Sequence, residues 1–302
     1  MTTTEPDTEV GFRRFAGPAG ATLAADVHGP AGAPAVLLLH GGGQTRHAWG
    51  GTARQLGLDG WRAVALDLPG HGDSDWAADG DYTMPALAAA VTAVVRELGG
   101  PVAVVGASLG GMAAMAALAL ADPPPMAALV LVDIAPRTEA EGVERIVSFM
   151  TAHPEGFASL DEAAEHIARY KGRPGSVRPE GLRKNLRLAA TGRWVWHWDP
   201  RLMQPHNHAQ RRDPEVYERA LRDWTRPTLL VRGARSDVLS HAGVRAFLQT
   251  VPGARFVDLS EAGHMVAGDA NDAFTGVVGA FLRDAMPTGT FLRDAMPTGT
   301  SS

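Results

Sequence analysis

Cysteine is absent from the 302 residues, which excludes disulfides, thiolate metal sites, iron–sulfur clusters and a cysteine nucleophile in any compartment. Lysine is nearly absent: among 28 basic residues only Lys171 and Lys184 are lysine, a usage that fits the codon bias of a GC-rich bacterial genome. There is no surplus of positive charge. The 28 basic against 33 acidic residues give −5, with a pI near 6.1, so the chain lacks the electrostatic footprint that holds a phosphate backbone, and no nucleic-acid partner is expected. Nor is any apolar stretch long enough to span a bilayer, and Met1 to Val10 has neither the basic start nor the apolar run of a secretory signal. The expectation is a cytoplasmic protein without a membrane partner. What is present is ordinary for a globular protein: 45% hydrophobic and 20% charged residues, enough to bury a sizeable core.

Short apolar runs alternate with helical patterns, the signature of strands joined by crossover helices in a mostly parallel sheet. Leu23 to Val27, Ala35 to Leu39, Arg62 to Leu66, Pro101 to Val105, Leu129 to Ile134, Thr228 to Val231 and Arg255 to Leu259 read as strands. Gln44 to Leu58, Tyr82 to Leu98, Met112 to Ala121 and Asp272 to Met286 read as helices. Pro85 in the first turn and Gly99-Gly100 just past the end bound the second of these. Between Ala135 and Thr225 the strand signal gives way to segments rich in Arg, Glu and Trp. The expected organisation is therefore an α/β core over 1–134 and 226–287, a doubly wound sheet of about eight strands, with a helical cap inserted at 135–225. Phe281 to Thr290 (FLRDAMPTGT) recurs identically as Phe291 to Thr300. A tandem pair of ten residues is not a repeat architecture, and 288–302 is expected to be a loosely ordered tail.

Gly106-Ala107-Ser108-Leu109-Gly110 fits G-x-S-x-G. The motif is informative only in a strand–turn–helix context, which the run Pro101 to Val105 and the helical segment from Met112 supply. A serine hydroxyl is a poor nucleophile at neutral pH and needs a base, which in turn needs an orienting carboxylate. His264 follows the run Arg255 to Leu259, and Asp237 follows Thr228 to Val231; each stands just past a strand's carboxyl end, where such sheets gather catalytic groups. Acyl attack also requires donors for an oxyanion. The strand Ala35 to Leu39 leads into His40-Gly41-Gly42-Gly43, so the N–H of Gly42, with Gly41, is expected to act beside that of Leu109.

With HGGG at His40, DLPGHGDSD from Asp67, GASLGG from Gly106, SD at Asp237 and GH at Gly263, the chain resembles the α/β-hydrolase fold superfamily, in its serine-nucleophile branch with a helical cap. The resemblance covers about Phe12 to Leu282. It implies Ser108 as nucleophile, His264 as base and Asp237 as acid, and a serine at the elbow sets the chain apart from relatives that use aspartate as nucleophile, the epoxide hydrolases and haloalkane dehalogenases. Asp133, ending the run Leu129 to Ile134, is a rival acid because some members of this fold place it there; here it is read as holding a loop by hydrogen bonds.

The expected reaction is hydrolysis of a small, apolar carboxylic ester or lactone through an acyl-enzyme, without a cofactor or metal. His40 and His71 are read as braces of their glycine turns, and His206 with His208 lack the carboxylate or thiolate support of a metal site. Trp194, Trp196 and Trp198, with Met265, are candidates for lining the substrate pocket. Three alternatives stand beside this reading: a cofactor-free perhydrolase of the haloperoxidase type, a carbon–carbon bond hydrolase with the same triad, and a small-ligand receptor on a hydrolase fold. A homodimer is left open.

Overall fold

In the computed structural model, residues 8–172, 175–209, 213–260, 263–264 and 271–287 are described. The core is an eight-stranded sheet built from β1 (Thr8–Ala16), β2 (Thr22–Pro30), β3 (Ala35–Leu39), β4 (Arg62–Leu66), β5 (Val102–Ala107), β6 (Met126–Val132), β9 (Thr228–Gly233) and β10 (Arg255–Leu259). Its order is β1-β2-β4-β3-β5-β6-β9-β10; β1–β2 and β2–β4 are antiparallel and every other pair is parallel. β3 is buried at all five positions, as expected of a strand covered on both faces.

Helices cover the two faces because successive strand residues point to opposite sides. On one side Leu37, Leu39, Val104 and Leu131 pack with α2 (Met84–Leu98), α3 (Leu109–Leu118) and α8 (His241–Thr250). On the other, Val36, Leu38, Val105 and Val130 pack with α1 (Gly50–Leu58) and α9 (Asn271–Ala285). Phe281, Leu282 and Met286, from the first FLRDAMPTGT copy, are buried in this second cluster; the second copy lies outside the described residues. Among the described residues no helix is long and apolar enough to cross a membrane.

Between β6 and β9 the chain forms α4 (Ala140–Thr151), α5 (Leu160–Tyr170), a two-stranded ribbon of β7 (Leu186–Leu188) and β8 (Trp194–Trp196), α6 (Pro205–Ala209) and α7 (Pro214–Asp223). Phe157, Ala163, Ile167, Leu182 and Leu186 make a small core of its own. Inside the stretch expected as a cap, α7 sends Tyr217 and Leu221 into the main core, so the last turns of that stretch lie with the sheet helices.

The strand order places the candidate site. From β3 the chain moves one way to β4 and then crosses to the other side for β5 and β6, so β3 and β5 are neighbours at a switch point, where ligands of open α/β sheets bind beyond the strands' carboxyl ends. Leu39, the last residue of β3, pairs with Gly106 of β5, and the loop beginning at His40 and the turn containing Ser108 leave the sheet side by side.

Candidate active site

Ser108 joins β5 to α3 with φ 46° and ψ −113°, a left-handed conformation that costs a non-glycine residue of order 1–3 kcal/mol and is kept only where the surroundings enforce it. The surroundings here are glycine. A Cβ on Gly106 would lie 2.6 Å from backbone atoms of Gly110 and Gly111, and one on Gly110 would lie 2.5 Å from the Leu39 oxygen. Strand and helix therefore approach at backbone contact, and the turn between them is forced sharp.

The glycine loop faces this elbow. A Cβ on Gly41 would sit 3.4 Å from Ser108 Cβ, and one on Gly42 3.9 Å from a Leu109 methyl. Two histidines hold the loop. His40, fully buried, donates from Nδ1 to the Gly41 oxygen (2.8 Å) and accepts at Nε2 from Leu68 N–H (3.0 Å). Burial holds the His40 pKa below the ordinary histidine value, so the ring is neutral and can donate on one side while accepting on the other. His71 accepts from Gly43 N–H at 3.3 Å. Of the expected oxyanion donors, Gly41 is corrected: its N–H already donates to Gln44 Oε1 at 3.0 Å. The N–H groups of Gly42 and Leu109 have no acceptor among the described residues.

The carboxylate partner of His264 is Asp133, and this corrects the expectation of Asp237. His264 Nδ1 lies 2.6 Å from Asp133 Oδ2. Asp133 follows β6 directly at φ 51°, a region that Asp tolerates better than most residues, and its side chain is fully buried. Its backbone N–H donates to Val231 O at 2.7 Å, while the Ser108 N–H donates to Val132 O at 3.2 Å, so the Ser108 turn and Asp133 are fixed on adjacent strands by main-chain bonds. Asp237 turns elsewhere: its Oδ2 is 3.3 Å from Arg145 Nε of α4, and its backbone packs against Gly142. The residue that the loop after β9 directs at the acid is the neighbour of Asp237, Ser236, whose hydroxyl donates to Asp133 Oδ2 at 2.5 Å. The sequence reading missed Ser236; its only signal was its place in the Ser-Asp pair, where chain order drew attention to the second residue.

The three tryptophans take different places, with Trp196 also packing against the cluster of Met150 and Trp198. Trp194 and Trp196 pack on the inserted segment's own core, Trp194 beneath the Arg183 guanidinium and Trp196 against Phe149 and Phe157. Trp198 reaches the glycine loop: a Cβ on Gly43 would lie 3.6 Å from its Nε1 and 3.1 Å from Met150 Cε. Met150, which the sequence reading did not single out, therefore covers the loop from α4. Met265 lies outside the described residues. His206, in α6, shares no cluster of three or more potential metal ligands among the described residues.

The DLPGHGDSD motif does structural work beside the site. Asp67 accepts from Arg46 N–H and from the Arg46 guanidinium, which also binds Asp26 and Asp73. Ser74 links the Asp67 oxygen to Ala24 N–H, tying the turn to β2.

Comparison with known proteins agrees with this fold. The family model described as alpha/beta hydrolase fold matches residues 34–270. Among curated proteins, the chain is 46% identical over 66 residues to the esterase Rv0045c of Mycobacterium tuberculosis and 37% identical over 78 residues to the pimeloyl-[acyl-carrier protein] methyl ester esterase of Aeromonas salmonicida. These stretches cover 22% and 23% of this chain but only 21% and 30% of the two relatives. The solved structure of the M. tuberculosis esterase Rv0045c superposes with a TM-score of 0.69 at 27% identity, over 92% of this chain and 93% of that one. A match over most of the chain, on the strand order and elbow described above, shows that the protein belongs to the alpha/beta hydrolase fold family.

Proposed function

We propose that this protein is a serine hydrolase of small carboxylic esters or lactones, working through an acyl-enzyme on Ser108. The observation that carries the reading is the 2.6 Å contact of His264 with the buried Asp133 carboxylate, on the strand end adjoining a strained serine turn. An ionised carboxylate accepts only, so His264 carries its proton on Nδ1 and presents Nε2 as a base.

In the first half-reaction Ser108 Oγ attacks the ester carbonyl carbon as its proton passes to His264 Nε2. Asp133 stabilises the resulting imidazolium and keeps its orientation without taking the proton. The carbonyl oxygen becomes an oxyanion, for which the N–H groups of Gly42 and Leu109 are the available donors; one such donor is worth about 3–4 kcal/mol in comparable sites. Collapse of the tetrahedral intermediate breaks the bond to the alkoxide, which leaves with the proton from His264. Water, deprotonated by the same histidine, then hydrolyses the acyl-enzyme.

The inserted segment acts as a cap on this reading. Met150 and Trp198, set against the glycine loop, form the wall nearest the reacting carbonyl and favour an apolar substrate group. Support for ester chemistry comes from the two curated relatives and from the M. tuberculosis esterase structure. The test is hydrolysis of p-nitrophenyl esters and of lactones of graded size, with fluorophosphonate labelling. Label on Ser108 and loss of turnover in Ser108→Ala are expected; turnover retained by that variant overturns the proposal.

A further inference from the structure

From the hydrogen bonds around Asp133 we infer that Ser236 is a positioning residue of the catalytic apparatus: its hydroxyl locks the acid that orients His264. The inference rests on the serine-hydrolase reading above and adds a group that touches neither substrate nor the reacting atoms.

The direction of the Ser236 hydroxyl is fixed by its neighbours. Ser236 Oγ accepts from the backbone N–H groups of Val238 (3.1 Å) and Leu239 (3.2 Å). With both lone-pair directions engaged, its single proton has one acceptor left, Asp133 Oδ2 at 2.5 Å. The same oxygen receives His264 Nδ1–H at 2.6 Å, and the other, Oδ1, accepts from Gly233 N–H at 3.0 Å. Three donors of fixed position thus hold one fully buried carboxylate. Two of them, Gly233 N–H at the end of β9 and Ser236 O–H in the turn that follows, clamp the plane of the carboxylate while His264 reads it.

Removing the hydroxyl leaves Oδ2 with the histidine alone. Of the protein donors other than the histidine, only Gly233 N–H then restrains rotation about the Cβ–Cγ bond, and the imidazole, whose orientation the carboxylate sets, shifts with it. Misplacement of a catalytic group by about 1 Å costs on the order of 10²-fold in rate, and because Ser236 contacts no substrate the loss falls on kcat rather than KM. Charge-assisted hydrogen bonds to a buried carboxylate are also the strong ones, so the effect is readable in the resting enzyme. The Nδ1 proton of His264, held between two heavy atoms 2.6 Å apart, gives a low-field proton resonance that reports the Asp133 contact without any substrate.

The experiment compares wild type with Ser236→Ala, Ser236→Cys and Ser236→Thr. It measures kcat and KM on the best p-nitrophenyl ester, the low-field proton spectrum, assigned by its loss in Asp133→Asn, and thermal unfolding. Expected are a kcat loss of about 10- to 100-fold in Ser236→Ala with KM within about twofold, displacement of the low-field resonance, an intermediate value for the weaker thiol donor in Ser236→Cys, and recovery in Ser236→Thr. A Ser236→Ala enzyme with wild-type kcat and an unmoved resonance overturns the inference, as does equal loss in the Ala and Thr variants. Should the alanine variant not fold, a cysteine variant indistinguishable from wild type overturns it equally. If instead Ser108→Ala keeps its turnover, the hydrolase reading fails by itself, and the substrate-free resonance still decides whether Ser236 positions Asp133 and His264.

Discussion

The sheet and the inserted segment rely on main-chain and side-chain bonds in different proportion. On the sheet side the groups that matter are placed by main chain: Ser108 N–H on Val132 O, Asp133 N–H on Val231 O, Gly110 N–H on His40 O, under strands buried along their length. On the side of the inserted segment, main-chain bonds are fewer (Asp199 N–H on Gly70 O, Gly72 N–H on His197 O, Glu139 N–H on Val238 O) and side chains add a latch. Tyr82 Oη donates to Asp199 at 2.6 Å, the Arg201 guanidinium reaches the oxygens of Ala77 and Ala78, and Asn207 bridges Tyr82 N–H and Gly80 O. Main-chain ladders tolerate most side-chain changes but no added atom at a backbone contact, whereas a side-chain latch can be opened one bond at a time. Chemistry should therefore be lost with the sheet, and selectivity with the latch.

The strongest break in this contrast is at the acid. Asp133→Asn presents an amide to His264 and favours the wrong tautomer, a change that costs about 10⁴-fold in kcat in the serine-protease case, or about 5 kcal/mol. Asp237→Asn, losing only a half-exposed pair with Arg145, should stay within a few-fold. Steady-state kinetics on one ester ranks the two, and the reverse order would move the acid from the sheet to the loop. Next comes Gly110→Ala, whose added Cβ would lie 2.5 Å from Leu39 O. Overpacking against backbone that cannot yield should lower the urea unfolding free energy by about 3 kcal/mol. Gly181→Ala, in the inserted segment with open space around it, should be neutral or stabilise by up to about 1 kcal/mol. Smaller than the Gly110→Ala effect is that of Tyr82→Phe. It removes the donation to Asp199 and the acceptor for Ala77 N–H, a loss of about 1–2 kcal/mol. The expected readout is faster limited proteolysis within the inserted segment and a raised KM, with kcat little changed.

The same division explains what the sequence made legible. Ala35–Leu39 and Arg62–Leu66 have the bounds expected from their apolar runs, because a strand covered on both faces writes its burial into nearly every residue; Arg255–Leu259 also keeps its expected bounds, although it is an edge strand with Arg255 and Asp258 exposed. β1 was not anticipated: it is an edge strand with exposed Val10 and Phe12 and two arginines, so it carries no such run. The ribbon β7–β8 has three residues a side, too few for a period to show. At the site, the chemical types were visible and their pairing was not. Asp133 and Asp237 both end strand runs, and which carboxylate reaches residue 264 depends on a single positive φ at Asp133 and on the way the loop after β9 aims Ser236 rather than Asp237 inward. Likewise, the helix after the elbow begins at Leu109 rather than Met112, since glycines that discourage a helix elsewhere are required here for the close approach to β3.

The smallest effect follows from protonation, and it too should divide the molecule. In the inserted segment His166 stacks on Phe149 with ring centroids 4.7 Å apart and 7° between planes, its Nε2 3.3 Å from Phe149 O and its ring edge-on to His153. Burial, reinforced by His153 and Arg169, holds its pKa below the ordinary value near 6.5 against the opposing pull of the Phe149 carbonyl and Glu162. A histidine depressed in the folded state favours folding in its neutral form, so its contribution is complete above about pH 6.5 and is lost as the pH falls through the lower folded value. Tyr170, on the other face of Phe149 at 4.2 Å, bounds the alkaline side: burial, with Asp237 nearby, pushes it up to about 12, so its contribution is complete below about pH 10 and is lost as pH rises through that value. The Phe149 stack should accordingly loosen at both extremes, read as a few-fold rise in proteolytic cutting within 135–209 between about pH 6.5 and 5. His166→Phe, which keeps a ring in the stack and removes the titration, should flatten the acid arm. His40, lowered in the same direction but fully buried under the sheet, should show its acid sensitivity only in global unfolding. If His166→Phe leaves the acid arm of local proteolysis unchanged, the acid sensitivity of the inserted segment comes from the sheet beneath it, and the two are coupled more tightly than their hydrogen bonding implies.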